Sequence, residues 1–294
     1  IIMFKISAHT MSTPSLSLEE AIRLYDNIGF EGAEIIVAND YDCSLKINSP
    51  KQEINNIKKL VDNLKISVSN LVPYTKNFNS NKKDLRIQAI DEFKSIIDMA
   101  NDLNCPSVRI WSGIDPEGEQ SGEISYEYLV ESLIIIGEYL DSSAITANIE
   151  NHPNTEATTA LKTLNLVKNI NSKNIGILYD PANLINLGDK NFIESFEIQK
   201  QYINHVHLKD LIVNESEKPK VTVIGKNKYT VGRSTPCLFG EGEIPWKELI
   251  NLLKQNGYHN YISIEYEKRW HPEILLDPEE ALPIEIKKLQ DLND

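Results

Sequence analysis

Only three cysteines occur in 294 residues, Cys43, Cys105 and Cys237. Their number is odd and none stands at a metal-type spacing, so neither a disulfide framework nor a thiolate metal knot is expected. A reducing compartment follows, and the expected location is the cytoplasm. Positive charge is also short: 30 Lys and Arg face 43 Asp and Glu, a formal net charge of −13. A nucleic-acid binder needs a basic footprint, so no nucleic-acid partner is expected. Long apolar runs are missing too. The longest lies around Leu133-Ile134-Ile135-Ile136, far short of a bilayer span, and no membrane partner is expected. Ile1-Ile2-Met3-Phe4-Lys5 is broken by Lys5 and lacks a cleavage-site pattern, so no signal peptide is expected. No Gly-rich phosphate fingerprint follows the first strand-like run, which counts against an open doubly wound sheet.

What remains is an ordinary globular composition, 41% apolar and 25% charged, long enough for a large core. From Phe4 onward, short β-type runs alternate with helical patterns, as in parallel βα units. Strands are expected at about 4–9, 33–37, 66–71, 107–111, 145–150, 175–180, 205–210 and 261–266. A helix opens after Ser17, with Glu20 at capping-box spacing, and stops at Gly29. Others are expected at about 51–64, 84–103, 126–140, 156–169, 192–203, 245–256 and 278–289. Pro245 reads as a first helical residue, Asp277 as a cap and Pro283 as a kink. Eight strands, eight helices and no compositional break predict one domain over 1–294, a single (β/α)8 TIM barrel of the α/β class.

Side chains alternate along a strand. In Ile145-Thr146-Ala147-Asn148-Ile149-Glu150 the polar residues Thr146, Asn148 and Glu150 share a face, and Glu150 comes last. Three later strands end alike: in Asp180 before Pro181, in His207 with Lys209 just beyond, and in Glu265. A closed parallel sheet brings these ends to one mouth, where barrel sites are built. Glu150, Asp180, His207 and Glu265 thus form a candidate ligand set for one divalent ion, Mn²⁺, Mg²⁺, Co²⁺ or Zn²⁺. Carboxylates so close together repel unless a cation lies between them. Such an ion also stabilises an enediolate on a bound sugar. His9, Trp111 and, one inward step below it, Arg109 face the same mouth, Trp111 as an apolar wall. His205 reads as core. His152 lies in a loop and has either a surface role or a substrate contact. Plainer readings stand beside these: Glu150 as a helix cap, Asp180-Pro181 as a turn opener, His207 as a satisfied core histidine and Gly240-Glu241-Gly242 as a turn.

The stretch 211–240 is long for a βα loop and carries Lys218, Lys220, Lys226, Lys228 and Arg233. Its segment 220–231 alternates as a small hairpin would. The insertion is either a lid over the mouth or a solvated excursion.

The pieces Glu150-Asn151-His152, Asp180-Pro181-Ala182-Asn183, His207-Leu208-Lys209-Asp210, Gly240-Glu241-Gly242-Glu243-Ile244 and Ile264-Glu265 together resemble the xylose isomerase-like barrels of sugar phosphate isomerases and epimerases. The resemblance implies one divalent metal held by Glu150, Asp180, His207 and Glu265. Glu150 and Glu265 match the pair that exchanges a proton on either face of the substrate in ketose 3-epimerases, and Glu156 matches a substrate-contacting Glu. Asn183 stands where several of them carry a substrate-binding His. Endonuclease IV shares the expected fold but needs further histidines; Asn183 replaces one and 211–240 contains none, which argues against DNA repair.

The leading expectation is a metal-dependent isomerase or epimerase of a small sugar or sugar derivative. Glu150 and Glu265 would act across an enediolate, their pKa values raised by a crowded acidic mouth. Lys209, Arg109 and the basic loop would bind hydroxyls or a phosphate. The alternatives are a dehydratase of the inosose or dehydroshikimate type and a non-catalytic sugar-binding barrel. Barrels of this kind pair through exposed loops, so a homodimer is the expected assembly.

Overall fold

A computed structural model describes residues 4–114, 125–189, 191–214, 220–224, 227–231 and 234–293. Its strands in chain order are β1 (Lys5–His9), β2 (Gly32–Val37), β3 (Ser44–Leu45), β4 (Ser67–Pro73), β5 (Ser107–Ile110), β6 (Thr146–Glu150), β7 (Ile175–Tyr179), β8 (Ile203–Leu208), β9 (Asp210–Val213), β10 (Lys220–Ile224), β11 (Asn227–Val231), β12 (Ser234–Cys237) and β13 (Tyr261–Ile264). The helices are α1 (Leu18–Ile28), α2 (Lys51–Leu64), α3 (Lys83–Asp102), α4 (Tyr126–Leu140), α5 (Ala160–Ile170), α6 (Pro181–Asn186), α7 (Phe192–Gln199), α8 (Trp246–Gln255) and α9 (Pro278–Asn293).

Eight of the strands pair in parallel in the order β1, β13, β8, β7, β6, β5, β4, β2, and β1 pairs again with β2. The sheet is therefore closed, and the fold is a (β/α)8 barrel as expected. Parallel neighbours need crossovers, and amphipathic helices supply them. Ile6, Ala8, Ala33, Ile35 and Val37 join Leu18, Ile22 and Tyr25 in one continuous core between barrel and helices. Local signals hold where they are strongest. Ser17 and Glu20 form the capping box, with Ser17 N donating to Glu20 Oε2 at 2.8 Å, and Gly29 ends α1 at φ +103°. That left-handed turn favours a residue without Cβ.

Several boundaries differ from expectation for identifiable reasons. α5 begins at Ala160 because Thr159 caps it, leaving Glu156 in the preceding loop. The run expected as one helix at 192–203 ends at Gln199, and Ile203 opens β8. Trp111 lies just past β5. Pro245 is the cap of α8 and not its first residue. Asp277 receives the first N–H groups of α9 on its carbonyl, while its side chain pairs with Lys268 at 3.0 Å. The insertion after β8 is more ordered than expected. β9 and β12 form an antiparallel ribbon, and β10 with β11 makes the hairpin read at 220–231. Lys218, Lys226 and Arg233 lie outside the described residues, as does the 1–3 start of the chain. Among the described residues no helix is long and apolar enough to cross a membrane.

Candidate metal centre

Four barrel strands deliver the predicted ligands to one place. Glu150 is the last residue of β6, Asp180 and Glu265 follow β7 and β13, and His207 lies near the end of β8. All four are buried. One ligand atom from each lies within 4.8 Å of all the others. His207 Nδ1 stands 3.2 Å from Glu150 Oε1, 3.3 Å from Glu265 Oε2 and 3.9 Å from Asp180 Oδ2. That nitrogen is buried and has no hydrogen-bond partner. Without a metal, burial is overcome by Glu34 and Glu265, which hold this ring protonated, well above its ordinary range; a divalent ion in place of the proton on Nδ1 would complete the arrangement.

Charge supports the same fit. Glu34, Glu150, Asp180, Glu265 and Glu267 gather around two permanent cations, Arg109 and Lys209. The negative surplus is what a divalent ion would reduce. Arg109 Nη1 donates to Glu150 Oε2 at 2.8 Å and Nη2 to the Pro73 carbonyl at 2.5 Å. Lys209 Nζ lies 2.7 Å from Glu265, 3.0 Å from Asp180 and 3.3 Å from Glu267. Both residues were expected to meet substrate, and both pair with carboxylates of the centre. The expected rise in the two glutamates is also corrected. Burial alone would raise Glu150, but Arg109, His152 and His207 outweigh it and bring the carboxyl down to about 2. Lys209 and His207 overcome burial at Glu265 and hold it well below the usual range. The crowding appears instead at Asp180, which burial pushes up to about 7 against the pull of Lys209.

The remaining predicted residues frame the centre. Asn183, in α6, donates from Nδ2 to Asp180 Oδ2 at 2.8 Å and to the Asn151 carbonyl at 2.9 Å. It braces a ligand whose other oxygen caps the same helix through Asn183 N. Asp180 is thus both turn opener and ligand candidate. His9 accepts the Met11 N–H on Nδ1 at 3.0 Å, so its neutral ring carries the proton on Nε2, 3.9 Å from Glu265 Oε1. Burial lowers this imidazole to about 4, which keeps it an uncharged donor. Trp111 packs against His152 with centroids 4.3 Å apart and against Tyr74 at 5.8 Å. His152 is half-buried and belongs to this wall. Glu156 is half-buried, its N–H bound to the Ser112 carbonyl at 3.1 Å. Gly240-Glu241-Gly242 is a turn whose amides Gly240 N and Gly242 N donate to Asp210 Oδ2. A Cβ at Gly242 would stand 2.0 Å from Asp210 Oδ1, so that approach needs glycine.

Three participants were not foreseen. Glu267 pairs with Lys209 at 3.3 Å. Glu34 sits in β2 against His207 Nε2 at 2.9 Å. Its only sequence signal is a carboxylate inside an otherwise apolar strand. Tyr74 lies under Arg109, whose guanidinium carbon is 4.5 Å from the ring centre. No pattern marked it.

A closed barrel with a buried carboxylate–imidazole cluster at the ends of its strands defines the class: a parallel barrel with a candidate metal site at its mouth. A family model for the xylose isomerase-like TIM barrel matches residues 22–292, and the chain belongs to that family. An inosose dehydratase of Clostridium perfringens is 25% identical over 170 residues, 55% of this chain and 52% of that protein. The chain thus spans about half the length of the curated relatives it matches first. The fold is shared with the IOLI protein carrying a zinc atom (TM-score 0.75, 17% identity, 99% of this chain and 98% of that one). An L-ribulose 3-epimerase superposes with TM-score 0.74 at 16% identity, over 99% of this chain and 94% of its own.

Proposed function

We propose that the chain is a divalent-metal-dependent enzyme that moves a proton at the carbon beside a carbonyl of a sugar or sugar derivative, acting as an isomerase or epimerase. The buried, unpaired His207 Nδ1 facing Glu150, Asp180 and Glu265 carries this reading. A divalent ion held there, zinc as in the related barrel or Mn²⁺, Mg²⁺ or Co²⁺, supplies a Lewis acid for the carbonyl oxygen. Glu265 takes the proton from carbon, and to epimerise Glu150 must enter the step protonated and give that proton to the other face, the two exchanging roles in the reverse direction. Isomerisation returns it at the neighbouring carbon. Lys209 keeps Glu265 ionised, and the His9 Nε2–H offers a neutral donor to a substrate oxygen. Trp111, His152 and Tyr74 give an apolar wall to the carbon skeleton.

A second reading is a dehydratase, in which the same proton abstraction is followed by loss of hydroxide. The inosose dehydratase relative favours it. The test incubates metal-reconstituted protein with ketoses, ketose phosphates and inososes in D₂O, followed by NMR. Deuterium beside the carbonyl with the skeleton intact supports the isomerase or epimerase. Loss of water replaces it with the dehydratase. Binding without exchange in any compound contradicts both and leaves a sugar-binding barrel.

A further inference from the structure

One carboxylate of the barrel interior has no part in the reaction drawn above. Glu34 is fully buried in β2. An ionised carboxylate there is costly unless its oxygens find donors. Oε1 accepts from Asn70 Nδ2 at 2.6 Å and faces His207 Nε2 at 2.9 Å and His205 Nε2 at 3.4 Å. The register of β2 against β4 slips between Ala33 and Glu34, which sets Glu34 opposite Asn70. A carboxylate only accepts, so the proton between Glu34 and His207 belongs to Nε2. A neutral ring with its proton there keeps a lone pair on Nδ1. Nδ1 is the atom aimed at Glu150, Asp180 and Glu265.

We infer that Glu34 is a positioning residue of the metal centre: it fixes the ring and tautomer of His207 so that Nδ1 is the ligand, while Asn70 holds Glu34 in place. The inference rests on the metal reading above. Carboxylate partners of metal-bound imidazoles orient the ring and raise its basicity, and losing one typically weakens metal affinity by about 10–100-fold.

Glu34→Gln keeps an acceptor oxygen for the Nε2–H, and Glu34→Leu keeps most of the volume without one. Zn²⁺ affinity is measured by chelator competition. The His207 tautomer is read by long-range ¹H–¹⁵N correlation on histidine-labelled, Zn²⁺-loaded wild type. The expected order of affinity is wild type, Gln, Leu, with the Leu variant about 10–100-fold weaker, and the wild-type ring protonated at Nε2. A Leu variant that melts cooperatively and binds Zn²⁺ as tightly as wild type overturns the inference. So does a wild-type His207 protonated at Nδ1, a result that stands even if the Leu variant does not fold. A wild type that binds no Zn²⁺ overturns the metal reading itself, and that outcome is distinct from the other two.

Discussion

Arg109 and Glu150 form an ion pair 2.8 Å apart with side chains only 2% and 1% exposed. Removing one member of such a pair leaves a buried charge without compensation, which costs about 3–5 kcal/mol. Arg109→Leu is therefore expected to lower stability by that amount in urea unfolding of chelator-treated protein. A loss under about 1 kcal/mol would mean that the pair is not desolvated as described. At this scale the convergence of Glu150, Asp180, His207 and Glu265 was legible because alternation marks a polar residue at the end of each of four strands. Glu34 was not. Its partner His207 lies 173 residues away in sequence, and only barrel closure brings β2 across from β8. The depressed Glu150 was equally hidden, because its partner comes from the adjacent strand β5 and strand-end position says nothing about pairing.

α9 carries a buried carboxyl of its own. Glu285 accepts the Phe239 N–H at 3.1 Å, and Lys288, Asp210 and Glu241 are its charged neighbours. Burial, opposed by that hydrogen bond and by Lys288, pushes it from 4.5 up to about 8. The folded value is raised, so its contribution is complete below about 4.5 and is lost as pH rises through about 8. Glu285→Gln keeps the acceptor and removes the charge. It should match wild type at about pH 4 and exceed it by roughly 2–4 kcal/mol at about pH 8.5 in chemical unfolding. Equal stability at both pH values would show that Glu285 is solvated at high pH. Elements themselves were read well where the signal is local, as with the Ser17–Glu20 box and Gly29. They were misread where a tertiary contact decides, as at Glu156, whose N–H bonds the Ser112 carbonyl beyond β5 and so delays α5. The ribbon of β9 and β12 escaped notice because its strands are only four residues each and separated by the hairpin.

On the proposed metal reading the mouth is coupled to the stability of the whole barrel, because the four candidate ligands come from β6, β7, β8 and β13 or the residues just after them. An ion bound there ties those strands together and stabilises only the folded chain. At about a hundredfold excess over its dissociation constant the gain is about 2.7 kcal/mol, or roughly 5 °C in melting temperature. Chelation should reverse that shift. The closed eight-strand order was readable from the count of βα units, since eight of them in a chain of this length close most simply as a barrel. The most direct test of the account is elemental analysis of purified protein, wild type beside Glu265→Gln, with melting followed as Mn²⁺ or Zn²⁺ is added. The account predicts about one divalent ion per chain in the wild type, lost in the variant together with the thermal shift. A wild type free of metal and indifferent in melting to every added divalent ion would contradict it and leave the barrel without its chemistry.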